Sequence, residues 1–313
     1  MQKPGKPIRN KPNTYNSSER RAPSKRTRPF SRDKRNDNGD EPREKRPFKR
    51  DFKFSGKRKF TKKSFGKFEA PEKQEVRLNK YIANAGICSR RDADKLITDG
   101  LISINGKVVT ELGTKVMPND VVRYAGEKLR NEKNVYILMN KPKNTITTVS
   151  DERSRLTVID LLGGKVKERV YPVGRLDRDT TGLLVLTNDG ALAKKLTHPR
   201  FGIKKTYAVE VDKVIKPEQI EKLKTGFELE DGFTKVDNAY LDPKVDTKKK
   251  VILELHSGKN RIVRRMMEHL GFRVKKLDRI SFAGLSKNAL TRGKWRFLTQ
   301  KEVGFLMKIS SNN

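Results

Sequence analysis

The chain has 313 residues and a formal net charge of +35, from 73 Lys+Arg against 38 Asp+Glu. An excess of this size points to a polyanionic partner, nucleic acid before membrane, because no apolar run approaches the roughly 18 residues of a spanning helix. A single cysteine, Cys88, excludes an intrachain disulfide, three histidines supply a metal site poorly, and the N-terminus lacks the apolar segment of a secretory signal, so the expectation is a cytoplasmic, metal-free protein.

Residues 1–75 read as a disordered basic tail. They contain no Leu or Val and one Ile, too little apolar surface to offset the entropy of ordering. The segment holds 25 basic and 10 acidic residues, a net of +15. Its second half interleaves Phe48, Phe52, Phe54, Phe60, Phe65 and Phe68 with Lys and Arg. That pattern suits phosphate neutralisation with base stacking on flexible RNA.

Residues 76–127 read as a small independent module. Val76 to Ala83 carries apolar positions at helical spacing, and Gly86 breaks it. Ser89 with Asp92 three residues on predicts a capping box opening a second helix, which Gly100 stops. Ile102-Ser103-Ile104, then Asn105-Gly106, then Lys107-Val108-Val109 predicts a hairpin with a type I′ turn. Asp120 to Tyr124 returns as another strand. This order resembles the S4 RNA-binding domain, a small α/β fold, across essentially the whole module. The resemblance implies that Arg77, Lys80, Arg90, Arg91 and Lys95 face RNA phosphates; without it they would read as ordinary solvated helix faces.

Residues 134–308 read as the catalytic domain. Strand-like runs recur at Val135–Met139, Thr206–Val211 and Lys250–Leu255, with helix-like stretches around Val158–Leu162, Ala191–Leu196 and Asn260–Leu270. The spacing favours an α+β fold with a mixed, largely antiparallel sheet over a doubly wound parallel one. There is no Gly-rich phosphate loop and no dinucleotide fingerprint, and no cofactor is expected.

The most informative string is Tyr171 to Gly190. Within it Gly174-Arg175-Leu176-Asp177-Arg178-Asp179 places a carboxylate between two arginines in a tight loop, and the apolar run Leu183-Leu184-Val185-Leu186 follows as a buried strand. A nearby positive charge favours the ionised form of an acid. A lone Asp between arginines is most often a turn residue or a solvated ion pair. The full string, however, resembles the active-site signature of the RsuA/RluB/RluF group of ribosomal RNA pseudouridine synthases. With the S4-like module, the resemblance spans residues 76–308 and leaves only the tail unmatched.

The chemistry implied is economical. Uracil delocalises the charge left on nitrogen when its glycosidic bond breaks, so a second carboxylate of the kind glycosidases use is not demanded. A freed uracil that is retained can rotate and rejoin ribose through carbon. The resemblance implies Asp177 as the carboxylate, attacking C1′ or removing a proton from C2′. It implies Tyr207 as the ring stacked on the target base, though the residue alone would read as a cross-strand core tyrosine. It implies Arg264 as the basic partner of Asp177, with Arg261 and Arg265 better suited to phosphate. Arg175 matches the arginine that helps displace the target nucleotide, which must leave its helix before its glycosidic bond is reachable. Asn140-Lys141-Pro142 reads as a structural edge. One departure concerns Ile262, where the family often carries glutamine. The module order with its basic extension looks most like the RluB type, which modifies a uridine in large-subunit (23S) ribosomal RNA. The RsuA type, acting on small-subunit (16S) RNA, and a non-catalytic ribosome assembly factor are the alternatives. A monomer is implied by the resemblance alone.

Overall fold

In the computed structural model, residues 75–309 are described apart from Lys244 and Asp246. The basic, Phe-rich tail read from the sequence lies outside them.

The first module begins with β1 (Val76–Arg77), α1 (Leu78–Asn84) and α2 (Arg90–Thr98). Short strands follow: β2 (Ile102–Ile104), β3 (Lys107–Val108), β4 (Lys115–Val116), β5 (Val122–Tyr124) and β6 (Glu127–Lys128). The expected helix from Val76 starts two residues late, because Val76 and Arg77 pair antiparallel with Val116 and Lys115. The capping box forms as read: Asp92 N donates to Ser89 Oγ at 3.2 Å, and that hydroxyl donates to the Asp92 carboxylate at 2.6 Å. Asn105 and Gly106 both hold positive φ, 51° and 85°, as a type I′ turn requires. Leu78, Ile82, Ala93, Ile97, Ile102, Val116, Val122 and Leu129 fill the core between the helices and the sheet. Cys88 packs at its edge, half-buried, where burial pushes its thiol up.

The second module is built around one nine-stranded sheet. Its elements run β7 (Tyr136–Lys141), β8 (Tyr171–Pro172), β9 (Thr181–Thr187), α3 (Gly190–Thr197) and β10 (Lys205–Val211). Then come α4 (Pro217–Thr225), β11 (Phe227–Leu229), β12 (Gly232–Thr234), β13 (Asn238–Leu241) and β14 (Lys250–Leu255). The chain finishes with α5 (Ile262–His269), β15 (Val274–Phe282), β16 (Leu285–Ser286), β17 (Trp295–Phe297) and α6 (Gln300–Ile309). The main path across the sheet is β13-β14-β10-β15-β9-β7-β17, antiparallel throughout except for the parallel pair β15–β9. The mixed, largely antiparallel α+β sheet expected from the sequence is the one observed.

All seven residues of β9 are buried, which explains why its pattern shows no alternation: α3 and α6 cover one face, and Val158, Leu162 and Leu176 cover the other. Each leucine so enclosed contributes about 1.5–3 kcal/mol. A third cluster joins β10 and β14 to α4 and α5 through Leu253, Leu223, Val263 and Met266. Two expected helices are shorter than read. Around Val158–Leu162 only a single 3-10 turn forms at Asp160–Leu162, because Gly163 and Gly164 follow at once with positive φ. The helix expected from Asn260 begins at Ile262, after Arg261 at φ 45°.

Candidate active site

Asp177 lies in the turn joining β8 to β9, and neighbouring groups fix that turn from several sides. Asp177 O accepts from Thr180 N at 3.0 Å. Thr147 Oγ1 donates to Leu176 O at 2.7 Å, and Asn144 N donates to Arg178 O at 3.0 Å. Beneath the turn the fully buried Lys141 donates from Nζ to Thr180 O (2.8 Å), Pro142 O (3.1 Å) and Arg178 O (3.3 Å). The segment Asn140-Lys141-Pro142 is thus a structural edge, and its lysine pins the loop that carries Asp177.

Burial pulls the Lys141 ammonium down to about 8, against the attraction of Asp177 and Asp179. Burial likewise lowers Lys205 to about 8, with the repulsion of Arg279 adding to it. The ordinary value is 10.5, so between about pH 8 and 10.5 the unfolded chain holds more protons than the folded one. Stability contributed by these two groups therefore rises with pH across that window, as the burial penalty is relieved. Lys141→Met is expected to show a smaller rise in Tm than the wild type from pH 7.5 to 9.5, keeping only the Lys205 share. An unchanged rise in the variant would clear Lys141 of this linkage.

Asp177 contributes to the wall of a cavity of about 180 Å³, shared with Arg175, Tyr207, Arg261, Arg279 and Phe282. Two arginines converge on one carboxylate oxygen. Arg261 Nη1 lies 3.5 Å and Arg264 Nε 3.9 Å from Asp177 Oδ2. The sequence reading made Arg264 the partner and gave Arg261 to phosphate; the structure places Arg261 slightly closer. The reason is backbone geometry. Arg261 is the N-cap of α5 in a left-handed conformation rare for residues with a side chain, and this turns its side chain back toward Asp177. Arg264, one turn into the helix, is nearly enclosed, and its Nε is buried without a hydrogen bond. The carboxylate also faces the positive end of the α5 dipole.

Tyr207 reaches the cavity from β10 and packs against two core clusters at the same time, so it has the core role and the cavity position together. Arg175 is exposed at the cavity rim and has no carboxylate partner among the described residues. Ile262, at the family's glutamine position, is buried in the cavity wall and makes it apolar there. Arg265 departs from expectation. Its Nη2 pairs with Asp231 at 2.8 Å and its Nε donates to Asn260 O at 2.9 Å, so it ties the β11–β12 hairpin to α5 instead of standing free for phosphate.

The sequence reading missed Arg279. This residue is 3% exposed, donates from Nε to Leu183 O at 2.7 Å, and lays its guanidinium 4.6 Å from the centre of the Phe282 ring. Register places it opposite both Gly182 on β9 and Tyr207 on β10, and of that row Arg279 and Tyr207 line the cavity. In the first module Lys80, Arg90 and Arg91 line a common cleft, while Arg77 and Lys95 are exposed and lie outside it.

Among the described residues no group of three or more His, Cys, Asp or Glu side chains could hold a metal ion. What the arrangement offers is one carboxylate, cations that orient it, an aromatic ring and an apolar wall in a cavity sized for a single nucleobase.

Two family models match the chain: RNA pseudouridylate synthase over residues 135–269 and S4 domain over residues 76–122. The ribosomal large subunit pseudouridine synthase B of Bacillus subtilis (strain 168) is 44% identical over 239 residues, 75% of this chain and 97% of that protein. The dual-specificity RNA pseudouridine synthase RluF of Escherichia coli (strain K12) is 38% identical over 245 residues, 76% of this chain and 80% of that protein. A crystal structure of pseudouridylate synthase superposes with a TM-score of 0.52 at 29% identity, covering 74% of this chain and 99% of that one.

Proposed function

Because the chain belongs to the RsuA/RluB/RluF family of RNA pseudouridine synthases, we propose that it converts one uridine of large-subunit ribosomal RNA to pseudouridine, with Asp177 as the carboxylate acting on the ribose. The coarser statement, an RNA pseudouridine synthase carrying an S4 domain, follows from the family itself. The observation that carries the finer reading is the convergence of Arg261 and Arg264 on Asp177 Oδ2 at a cavity that also contains Tyr207. The large-subunit assignment is supported by the relative from Bacillus subtilis, which matches over nearly its whole length.

The reaction breaks the bond from C1′ to uracil N1 and forms one from C1′ to C5, and the C5 hydrogen leaves as N1 gains a proton. Atoms balance without an external reactant. Asp177 starts base departure by attack on C1′ or by taking the C2′ proton, and the arginines hold its carboxylate in one orientation. The cavity cannot admit a duplex, so the uridine is flipped into it, and Arg175 at the rim is placed to occupy the vacated position. Once N1 is released, Tyr207 stacks on the free base, and Leu176, Ile262 and Phe282 keep water from the ribose carbon while the base turns.

The test is a pseudouridine map of both ribosomal RNAs in a strain lacking this protein, complemented by the wild type or by Asp177→Asn. One large-subunit site lost on deletion and regained with the wild type alone is the expected result. A small-subunit site would keep the chemistry and change the substrate. Restoration by Asp177→Asn would overturn the role given to the carboxylate.

A further inference from the structure

We propose that the cleft between the S4 module and the catalytic domain is a second RNA-binding site, which grips the sugar–phosphate backbone of the strand whose uridine enters the cavity at Asp177. The proposal rests on the pseudouridine synthase reading of that cavity and adds to it a set of contacts on the catalytic domain itself.

The cleft encloses about 720 Å³. Lys80 on α1 and Arg90 and Arg91 on α2 line one wall. Arg169, Lys194, Lys195 and Arg200 line the other. Among the described residues none of these seven side chains has a carboxylate partner. The acids nearby are already engaged. Asp92 is held by the Ser89 hydroxyl, and Asp189 caps α3 through Ala191 N and Leu192 N while accepting from the Tyr136 hydroxyl. Seven like charges around one opening outweigh the nearby carboxylates, of which Asp92 feels Arg169, and a polyanion relieves the remaining repulsion. The two walls converge: the Tyr171 hydroxyl between them feels both Arg90 and Arg169.

The width of the cleft is built in. Glu132, in the segment joining the two modules, donates from its backbone N to Asn84 O at 3.0 Å on the S4 side. Its carboxylate accepts from Arg169 N at 3.2 Å and Asn188 Nδ2 at 3.3 Å on the catalytic side. Gly86 makes room for this clasp, since a Cβ there would lie 2.2 Å from Glu132 Oε1. Walls held at a fixed spacing spare the cost of rearranging the two modules when a strand binds.

Position selects the occupant. Tyr171 lines the cleft, whereas Val173, Gly174 and Arg175 line the cavity, so the chain passes from one to the other within four residues, at most about 14 Å. Helix α3 repeats the arrangement: Lys194 and Lys195 face the cleft, Leu196 and Thr197 the cavity. A strand in the cleft is therefore a few nucleotides from the flipped uridine. The charged side chains lining the cleft are donors without acceptors, as a phosphate requires, and Arg200 is held over the Phe201 ring at 4.5 Å.

The test uses the full chain and a labelled 23S ribosomal RNA fragment containing the mapped uridine. The variant is Lys194→Gln/Lys195→Gln/Arg200→Gln; Lys194 and Arg200 are exposed and Lys195 is partly buried, and none of the three belongs to a buried core cluster. Affinity is read by fluorescence anisotropy across a salt series, and backbone protection by hydroxyl-radical footprinting. The expected result is a Kd and KM at least tenfold higher at 0.1 M salt and a salt slope reduced by about 2–3 in log–log terms. Protection should vanish on nucleotides flanking the target while the target itself stays protected. Wild-type Kd, slope and flanking protection in the variant would overturn the proposal, as would a loss confined to kcat. If the wild-type protein binds the fragment but forms no pseudouridine in it, the reading of the cavity fails, and Kd and footprint still decide the cleft.

Discussion

The Asp177→Asn protein is expected to bind ribosomal RNA at least as tightly as the wild type and to form pseudouridine at least about 10³-fold more slowly. Asparagine has the shape of aspartate, so the turn closed by Thr180 N and pinned by Lys141 is kept, because all of those bonds go to backbone carbonyls and none to the Asp177 side chain. What is lost is the negative charge that Arg261 and Arg264 face at 3.5 and 3.9 Å. An amide neither attacks C1′ nor takes a proton from C2′, so either route stops at its first step. Affinity moves the other way, since removing one carboxylate from a cationic surface strengthens its attraction for phosphate. The measurement is release of the C5 hydrogen from labelled uridine under single-turnover conditions, beside Kd by anisotropy. A variant whose Kd weakens as much as its rate falls would make Asp177 a structural residue, and a variant with wild-type rate would remove it from the chemistry.

The parts of this molecule that the sequence made legible are those governed by neighbours in the chain. The capping box of Ser89 and Asp92 and the Asn105-Gly106 turn are local chemistry, and both formed as read. The apolar runs of β9 and β14 announced themselves by composition. β15 did not. Its sequence, Val274 to Phe282, is broken by Lys275, Lys276, Asp278 and Arg279 and looks like a surface segment, yet it lies between β10 and β9 near the middle of the sheet. Its charges are tolerated because Lys275 is exposed and the others have partners: Lys276 pairs with Glu210 across the strand, Asp278 takes the Thr181 hydroxyl and Lys287, and Arg279 folds onto Leu183 O and Phe282. Glu210, Thr181 and Leu183 lie 66 or more residues away in sequence. The same limit explains the site. Asp177, Tyr207 and Arg264 were reachable through a resemblance, but the turn of Arg261 toward Asp177 depends on a left-handed residue that no local pattern foretells. Pro217 opening α4 and Gly226 ending it were ordinary start and stop signals that a closer reading would have used.

Gly182→Ala is expected to lose roughly 2–6 kcal/mol of stability and, in whatever fraction stays folded, at least about tenfold in turnover. Gly182 stands where β9 meets β15 in the one parallel pairing of the sheet, opposite Arg279. A Cβ at this position would lie 2.3 Å from Arg279 O, 2.5 Å from Arg279 N and 2.7 Å from Asp278 Oδ1, and φ is +111°. Two of those three atoms are backbone and cannot swing away, so the methyl group forces the strands apart. Overpacking of this kind costs about 1–3 kcal/mol, and a side chain in so sparsely populated a conformation costs a similar amount. The displacement then reaches the chemistry through the register. β15 carries Arg279, Arg279 stands opposite Tyr207 on β10, and Asp177 lies five residues before Gly182 on the other side of the junction. Moving β15 outward therefore shifts Tyr207 and Arg279 against Asp177, and misplacement by about 1 Å can lower a rate by 10². Gly113→Ala is the control: φ there is +88°, but no atom lies within 4 Å of the added carbon, so it carries the strain without the clash. Tm and single-turnover rate below Tm separate the two effects. If both variants lose the same stability and keep the same rate, glycine at 182 serves only its backbone conformation, and the close approach of β15 does not hold the site together.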